Sequence, residues 1–99
     1  MKTKKLPLVT PGQFLEEELL KPMKITPYRL AKELHVPATR IHAILKAKRA
    51  ITADTALRLE RFFGLSEGYF LRLQADYELR KAKREIGETI SSEVKPYAA

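Results

Sequence analysis

The 99-residue chain has no cysteine, no tryptophan and only four glycines. Without cysteine there is neither a disulfide framework nor a thiolate metal site, which fits a reducing compartment, and the chain is read as cytoplasmic. Without tryptophan, and with 8% aromatic residues, the core must come mainly from leucine, isoleucine and alanine with a few phenylalanines. Long apolar runs are missing as well. None approaches the roughly 18 residues of a bilayer span, so no membrane partner is expected. The opening MKTKKLPLVTPG is basic, but its apolar stretch is short and broken by Pro7 and Pro11, which argues against a secretory signal. Acid is scarce: 12 acidic residues stand against 19 basic ones, a net charge of +7. An isoelectric point near 9.8 points to a polyanionic partner, with nucleic acid, a membrane surface and an acidic protein all open at this level.

Catalytic patterns are absent too. There is no serine–histidine–acid set, no glycine-rich phosphate loop and no HExxH. His35 and His42 are seven apart with no carboxylate at ligand spacing, so neither a metal nor another cofactor is expected. Glu16, Glu17 and Glu18 read as a solvated face matched to a helix dipole rather than a catalytic cluster. The chain is read as a non-enzyme.

What the sequence does have is punctuation for helices. Residues 1–9 lack periodicity and read as a flexible arm. Thr10-Pro11-Gly12-Gln13 is a helix start, with Thr10 as N-cap, Pro11 at the first position and Gln13 closing a capping box. Phe14, Leu15, Leu19 and Met23 then form an apolar stripe that Pro22 brings to an end. Thr26-Pro27 opens a second helix with Leu30, Ala31 and Leu34 inward. His35 is the turn residue, at a position where positive φ favours Gly or Asn and histidine is among the enriched exceptions. Pro37 opens a third helix with Ile41, Ile44 and Leu45 inward. Thr52 caps a fourth, with Asp54 in its first turn, Ala56, Leu59 and Phe63 inward and Gly64 as C-cap. Ser66 caps a fifth, lined by Phe70, Leu73 and Tyr77 and running to about Ile86, before Gly87. No strand-like alternation, repeat or low-complexity segment occurs. The expected architecture is all-α with five helices, residues 10–86 forming one domain between the arm and a tail over residues 87–99.

The charge is concentrated on the second and third helices. Between Thr26 and Ala50, six bases (Arg29, Lys32, Arg40, Lys46, Lys48 and Arg49) face one acid, Glu33, a net +5 of the chain's +7. Two short basic helices joined by a tight turn are the pattern of a double-stranded DNA reader. Small Ala31 lets the pair approach closely. The third helix then offers a free face of Ala38, Thr39, Arg40, His42, Ala43 and Lys46, and an α-helix fits the major groove. Arg40 can bond guanine O6 and N7, Thr39 can meet a thymine methyl or a phosphate, and His42 can donate to an acceptor. Lys46, Lys48 and Arg49 lie where the DNA backbone runs. The amide end of the second helix, with Thr26, Tyr28 and Arg29, can hold a phosphate. One such domain makes few base contacts, so a two-fold homodimer on a palindromic operator is expected. Tyr69, Leu71, Leu79 and Ile86 are apolar residues spare for its interface. The rival from another class is a protein-interaction module whose basic patch meets an acidic partner and no DNA.

The five-helix order with this helix pair resembles the lambda-repressor-like, or XRE-type, helix-turn-helix domain. Three segments narrow the resemblance. TPGQFLEEELLKPMKIT is similar to the opening of HigA-type antitoxins. KAKRAITADTALRLERFFG resembles that family's "G-K-R-x-Ile-Thr-x-x-x-Ala-x-Arg-Leu" stretch, with Ala47 in place of the usual glycine. YFLRLQADYELRKAKRE resembles its "Phe/Trp-Leu-x-Leu-Gln-x-x-Tyr-x-Leu" helix. Together they cover about Thr10 to Glu85. The resemblance implies a type II antitoxin: a dimer that represses its own promoter and silences a RelE-like mRNA-cleaving toxin encoded beside it. A stand-alone XRE-family or phage-type regulator without a toxin is the alternative on the same fold. Because RelE-like toxins are basic, Glu16–Glu18 or the stretch Asp76–Glu88 suits a toxin contact better than Lys2–Lys5.

Overall fold

A capping box opens the first helix, as expected. Thr10 Oγ1 accepts from the Gln13 amide and Gln13 Oε1 accepts from the Thr10 amide, both at 3.0 Å. The structure, a computed structural model, describes residues 8–98, so most of the expected arm lies outside the described residues. Helix α1 runs on through Pro11–Phe14, Leu15–Leu20 and Lys21–Met23, and its middle segment is π-wound. Pro22 gives the reason. Proline lacks an N–H, and its ring crowds the carbonyl four residues back. The π segment loosens the turn just before it, with the Lys21 amide on Glu16 O, five residues back. The helix therefore passes Pro22 and stops at Met23. The wider turn also moves the buried face: Leu15 and Leu20 go inward, while Met23, expected on the stripe, is exposed.

Helices α2 (Pro27–Leu34), α3 (Ala38–Leu45), α4 (Ala53–Phe63) and α5 (Tyr69–Glu93) follow. Among the described residues there are five helices and no strand. Thr26 caps α2 through Arg29 N–H at 3.1 Å, and Thr52 caps α4 through Thr55 N–H at 3.4 Å. The first four helices share one ending: a left-handed residue, after which the next amide bonds back five residues. Ile25 reaches Leu20 O, Val36 reaches Ala31 O, Lys48 reaches Ala43 O and Leu65 reaches Glu60 O. The left-handed residues are Lys24, His35, Ala47 and Gly64, so three of the four carry a Cβ in a conformation that costs an L-residue about 1–2 kcal/mol. Each such ending turns the chain sharply in few residues, which keeps consecutive helices adjacent.

Eleven apolar residues form the core: Leu15, Leu20, Leu30, Ala31, Leu34, Ile41, Ile44, Ile51, Ala56, Leu59 and Phe70. The amino end of α1 lies against the carboxyl end of α3. Gly12 makes that possible, since a Cβ there would stand 2.1 Å from Ile44 O and 2.9 Å from Leu45 Cα.

Helix α5 differs from expectation at both ends. Its N-cap is Gly68, not Ser66, whose hydroxyl instead accepts from Arg72 Nη2 at 3.4 Å. The capping charge comes from another helix. Glu60 of α4 is 1% exposed; its Oε1 accepts from Gly68 N–H at 3.0 Å and its Oε2 from Phe70 N–H at 2.9 Å. A carboxylate at a helix amino end satisfies orphan donors and complements the dipole. At the other end α5 does not stop near Ile86. It continues through Gly87 to Glu93, and Val94 turns extended two residues before Pro96. Glycine costs roughly 1 kcal/mol in a helix interior, too little to break a long helix by itself. Ion pairs Asp76–Arg80 and Lys81–Glu85, each 3.1 Å, brace the exposed length ahead of it. Tyr69 and Leu71, expected to be spare, pack against the core, and the Tyr69 ring lies 5.9 Å from Phe14.

Candidate nucleic-acid interface

The candidate interface centres on α3. With Ile41 and Ile44 buried, the 100° step per residue puts Thr39, Ala43 and Lys46 on the opposite side, flanked by Arg40 and His42. Thr39, His42 and Lys46 are exposed and Ala43 is half-buried. Ala38, expected on the free face, packs partly against the core because it lies one turn before Ile41 on the inward side. A single polar or small-residue crest on α3 is the shape a major groove accepts.

Ahead of this crest, α2 presents its amino end. Tyr28 is 72% exposed, and Thr26 and Arg29 are exposed beside it. Thr26 Oγ1 is occupied by the Arg29 amide. Arg29 lies 3.6 Å from Glu33, a loose exposed pair that neutralises little of its field. Between α2 and α3 the turn consists of His35, Val36 and Pro37, and His35 adopts the left-handed conformation its position requires, φ 60°.

Behind the crest, the segment after α3 carries Lys46, Lys48 and Arg49, all exposed. Two features hold it. Ala47 takes φ 58°, which reverses the chain at the end of α3. Gln74 of α5 then grips Ile51 on both sides of its main chain, accepting from the amide at 2.6 Å and donating to the carbonyl at 2.9 Å. A side-chain amide carries both an acceptor and a donor, so one glutamine can return both main-chain bonds of a single residue. The basic segment is thus fixed to α5 rather than loose.

Arg40 is not a free side chain. Its Nη1 donates to Thr55 Oγ1 at 3.4 Å and lies 3.7 Å from Asp54 Oδ1. Asp54 Oδ1 also accepts from Arg58 Nε at 2.7 Å, and Arg58 Nη1 donates to Leu34 O, the last carbonyl of α2, at 2.8 Å. Arg40 and Arg49 line one notch with Thr52 and Asp54. The start of α4 therefore ties the end of α2 to the flank of α3. Asp54, Thr55, Arg58 and Gln74 join the site only through the packing of α4 and α5. The Asp54-to-Arg58 spacing of four and the glutamine inside the fifth-helix motif were the available signals.

Elsewhere, Glu17 bonds Lys21 at 2.7 Å, and that bond with its charge raises the Lys21 pKa above the ordinary lysine range. Glu17 and Glu18 are exposed on α1 and Glu16 is half-buried. Among the described residues no three His, Asp or Glu side chains gather as a metal site, and no helix is long and apolar enough to cross a membrane.

Residues 17–70, spanning α2 to α4 with parts of α1 and α5, match the helix-turn-helix family HTH_3. The chain belongs to that family. Its helix-turn-helix, the α2–α3 pair, is of the XRE type. The chain is 46% identical over 80 residues to virulence-associated protein I of Dichelobacter nodosus, covering 81% of this chain and 74% of that one. In three dimensions it is similar to an addiction-module antidote protein of the HigA family from Coxiella burnetii, with TM-score 0.85 and 43% identity over 93% of this chain and all of that one. It is equally similar to the Pseudomonas aeruginosa antitoxin HigA in its structure with the higBA promoter, with TM-score 0.86 and 35% identity over 93% and 100% of the two chains.

Proposed function

We propose that this helix-turn-helix protein is a sequence-specific transcriptional repressor acting as a type II, HigA-like antitoxin. The observation that carries the reading is the basic α2–α3 pair on a fold shared with an antitoxin solved on its promoter. The crest Thr39–Ala43–Lys46 enters the major groove, with Arg40 and His42 reading base edges from its flanks. Lys46, Lys48 and Arg49 follow the phosphates on one side, and Thr26, Tyr28 and Arg29 do so on the other, with Ala38 beneath the crest. Two copies bind a palindromic operator with recognition helices about 34 Å apart or a multiple of that. The distal part of α5, where Leu79, Ile86 and Ile90 are exposed, supplies the dimer face. The protein works in the cytoplasm, without catalysis, and silences a RelE-like toxin encoded beside it through the acidic face of α1 or the charged stretch of α5.

The DNA part is tested by titrating operator and scrambled duplexes at several salt concentrations. Arg40→Ala should cost about 1–3 kcal/mol on the operator and relax one position. Lys48→Ala should weaken both duplexes alike and lower the salt slope by about one unit. Operator binding by Arg40→Ala as tight as wild type would refute the base-reading role. The antitoxin part is tested by co-expression with the adjacent gene. Growth rescue and co-purification support it; failure of both leaves a stand-alone regulator of the same fold.

A further inference from the structure

The segment that carries Lys48 and Arg49 is pinned at two points three residues apart. At its front, the Lys48 amide donates to Ala43 O of α3 at 2.9 Å. At its rear, Gln74 of α5 accepts from the Ile51 amide at 2.6 Å and donates to the Ile51 carbonyl at 2.9 Å. No other hydrogen bond to the Ile51 main chain is formed among the described residues, so both of its polar groups depend on this one side chain. We infer that Gln74 is a positioning residue for DNA: it holds Lys48 and Arg49 ready for phosphates before the duplex arrives, an assignment that rests on the DNA-binding reading above.

Among the described residues neither cation forms an ion pair, so the main chain sets where their charges stand. That main chain has little else to order it: Ala47, Lys48, Arg49 and Ala50 are all exposed, and the segment reaches the core only at Ile51. Ordering such residues costs conformational entropy. A protein whose binding-competent arrangement is only partly populated binds with an affinity reduced by that fraction, and Gln74 keeps the fraction near one. Each of its two bonds is worth a few-fold in an equilibrium, while the Ile51 side chain, 3% exposed, retains a share of the order without them. Loss of the clamp should therefore weaken DNA binding about three- to tenfold. Because the contacts are to phosphate, the loss falls alike on every sequence.

The probes are a duplex selected from a random library by the wild-type full chain and a scrambled duplex of equal length and composition. Dissociation constants are measured at one salt concentration for wild type and Gln74→Met, which keeps the length of the side chain without its polar end. Both are measured again with Lys48→Ala and Arg49→Ala added, which closes a mutant cycle. Circular dichroism checks that each variant is folded, and Gln74→Ala takes the place of Gln74→Met if that variant is not. We expect Gln74→Met to weaken both duplexes about three- to tenfold with their ratio unchanged, and to cost nothing further once the two cations are gone. Binding by Gln74→Met as tight as wild type would overturn the assignment while the DNA reading stands. So would an equal loss in both backgrounds, the result of a merely structural role in packing α5. Failure of the wild-type chain to enrich or bind any duplex would overturn the DNA reading and this assignment together.

Discussion

The buried carboxylate of Glu60 is the contact whose removal should be felt most. It accepts two main-chain bonds, from Gly68 N–H at 3.0 Å and Phe70 N–H at 2.9 Å, and it is 1% exposed. Glutamine has nearly the same shape but only one acceptor oxygen. In Glu60→Gln one of the two bonds survives, and the other amide faces an NH2 group, donor against donor. Hydrogen bonds to a charged group are worth about 1.5–3 kcal/mol, and an orphaned buried donor costs about 1–3 kcal/mol, so the substitution should cost about 2–3 kcal/mol. Glu60→Ala leaves both amides orphaned and should cost about 3–5 kcal/mol, a large share of the 5–15 kcal/mol typical of a small domain. Urea unfolding followed by far-ultraviolet circular dichroism measures both, with the slope m unchanged if only stability moves. Hydrogen exchange gives a second view: amides from Tyr69 to Leu73 should lose protection first. A Glu60→Gln protein within about 0.5 kcal/mol of wild type would show that water or backbone rearrangement satisfies the start of α5 equally well, and the capping argument would fail.

Two further substitutions test the backbone. Ala47 sits at φ 58°, so Ala47→Gly should relieve about 1–2 kcal/mol of left-handed strain and lose part of it to unfolded-chain entropy, a net gain of about 0.5–1 kcal/mol. Thermal melting should register this as a rise of a few degrees, while Gly64→Ala, at φ 71° with open space around it, should shift the other way; equal signs would refute the conformational account. Gly12→Ala should destabilise by about 1–3 kcal/mol, because its Cβ would meet the Ile44 carbonyl, which is backbone and cannot turn aside. A crystal structure of that variant with α1 and α3 undisplaced would contradict the prediction.

Sequence by itself determined the features set by neighbours a few residues apart. Thr10, Thr26 and Thr52 begin helices because a hydroxyl reaches an amide three residues on. His35 ends α2 because the turn needs φ near 60°. The burial of Leu30, Ala31, Leu34, Ile41 and Ile44 follows from 3.6-residue spacing, and with it which side of α3 is free. The basic crest was legible for that reason. The π-wound middle of α1 was not, because a proline beside an apolar stripe reads as a stop until the turn before it is seen to widen. Gly87 reads as the end of α5 but imposes only a local cost, which the long helix outweighs on its way to Glu93. Ser66 is the nearest hydroxyl in sequence to the start of α5, yet Glu60 supplies the cap from the preceding helix. Tertiary structure alone decided that Gln74 holds Ile51 across 23 residues and that Asp54 and Thr55 hold Arg40. Such bonds join groups far apart in the chain, and no periodicity encodes them, because they exist only once α3, α4 and α5 have packed on the common core.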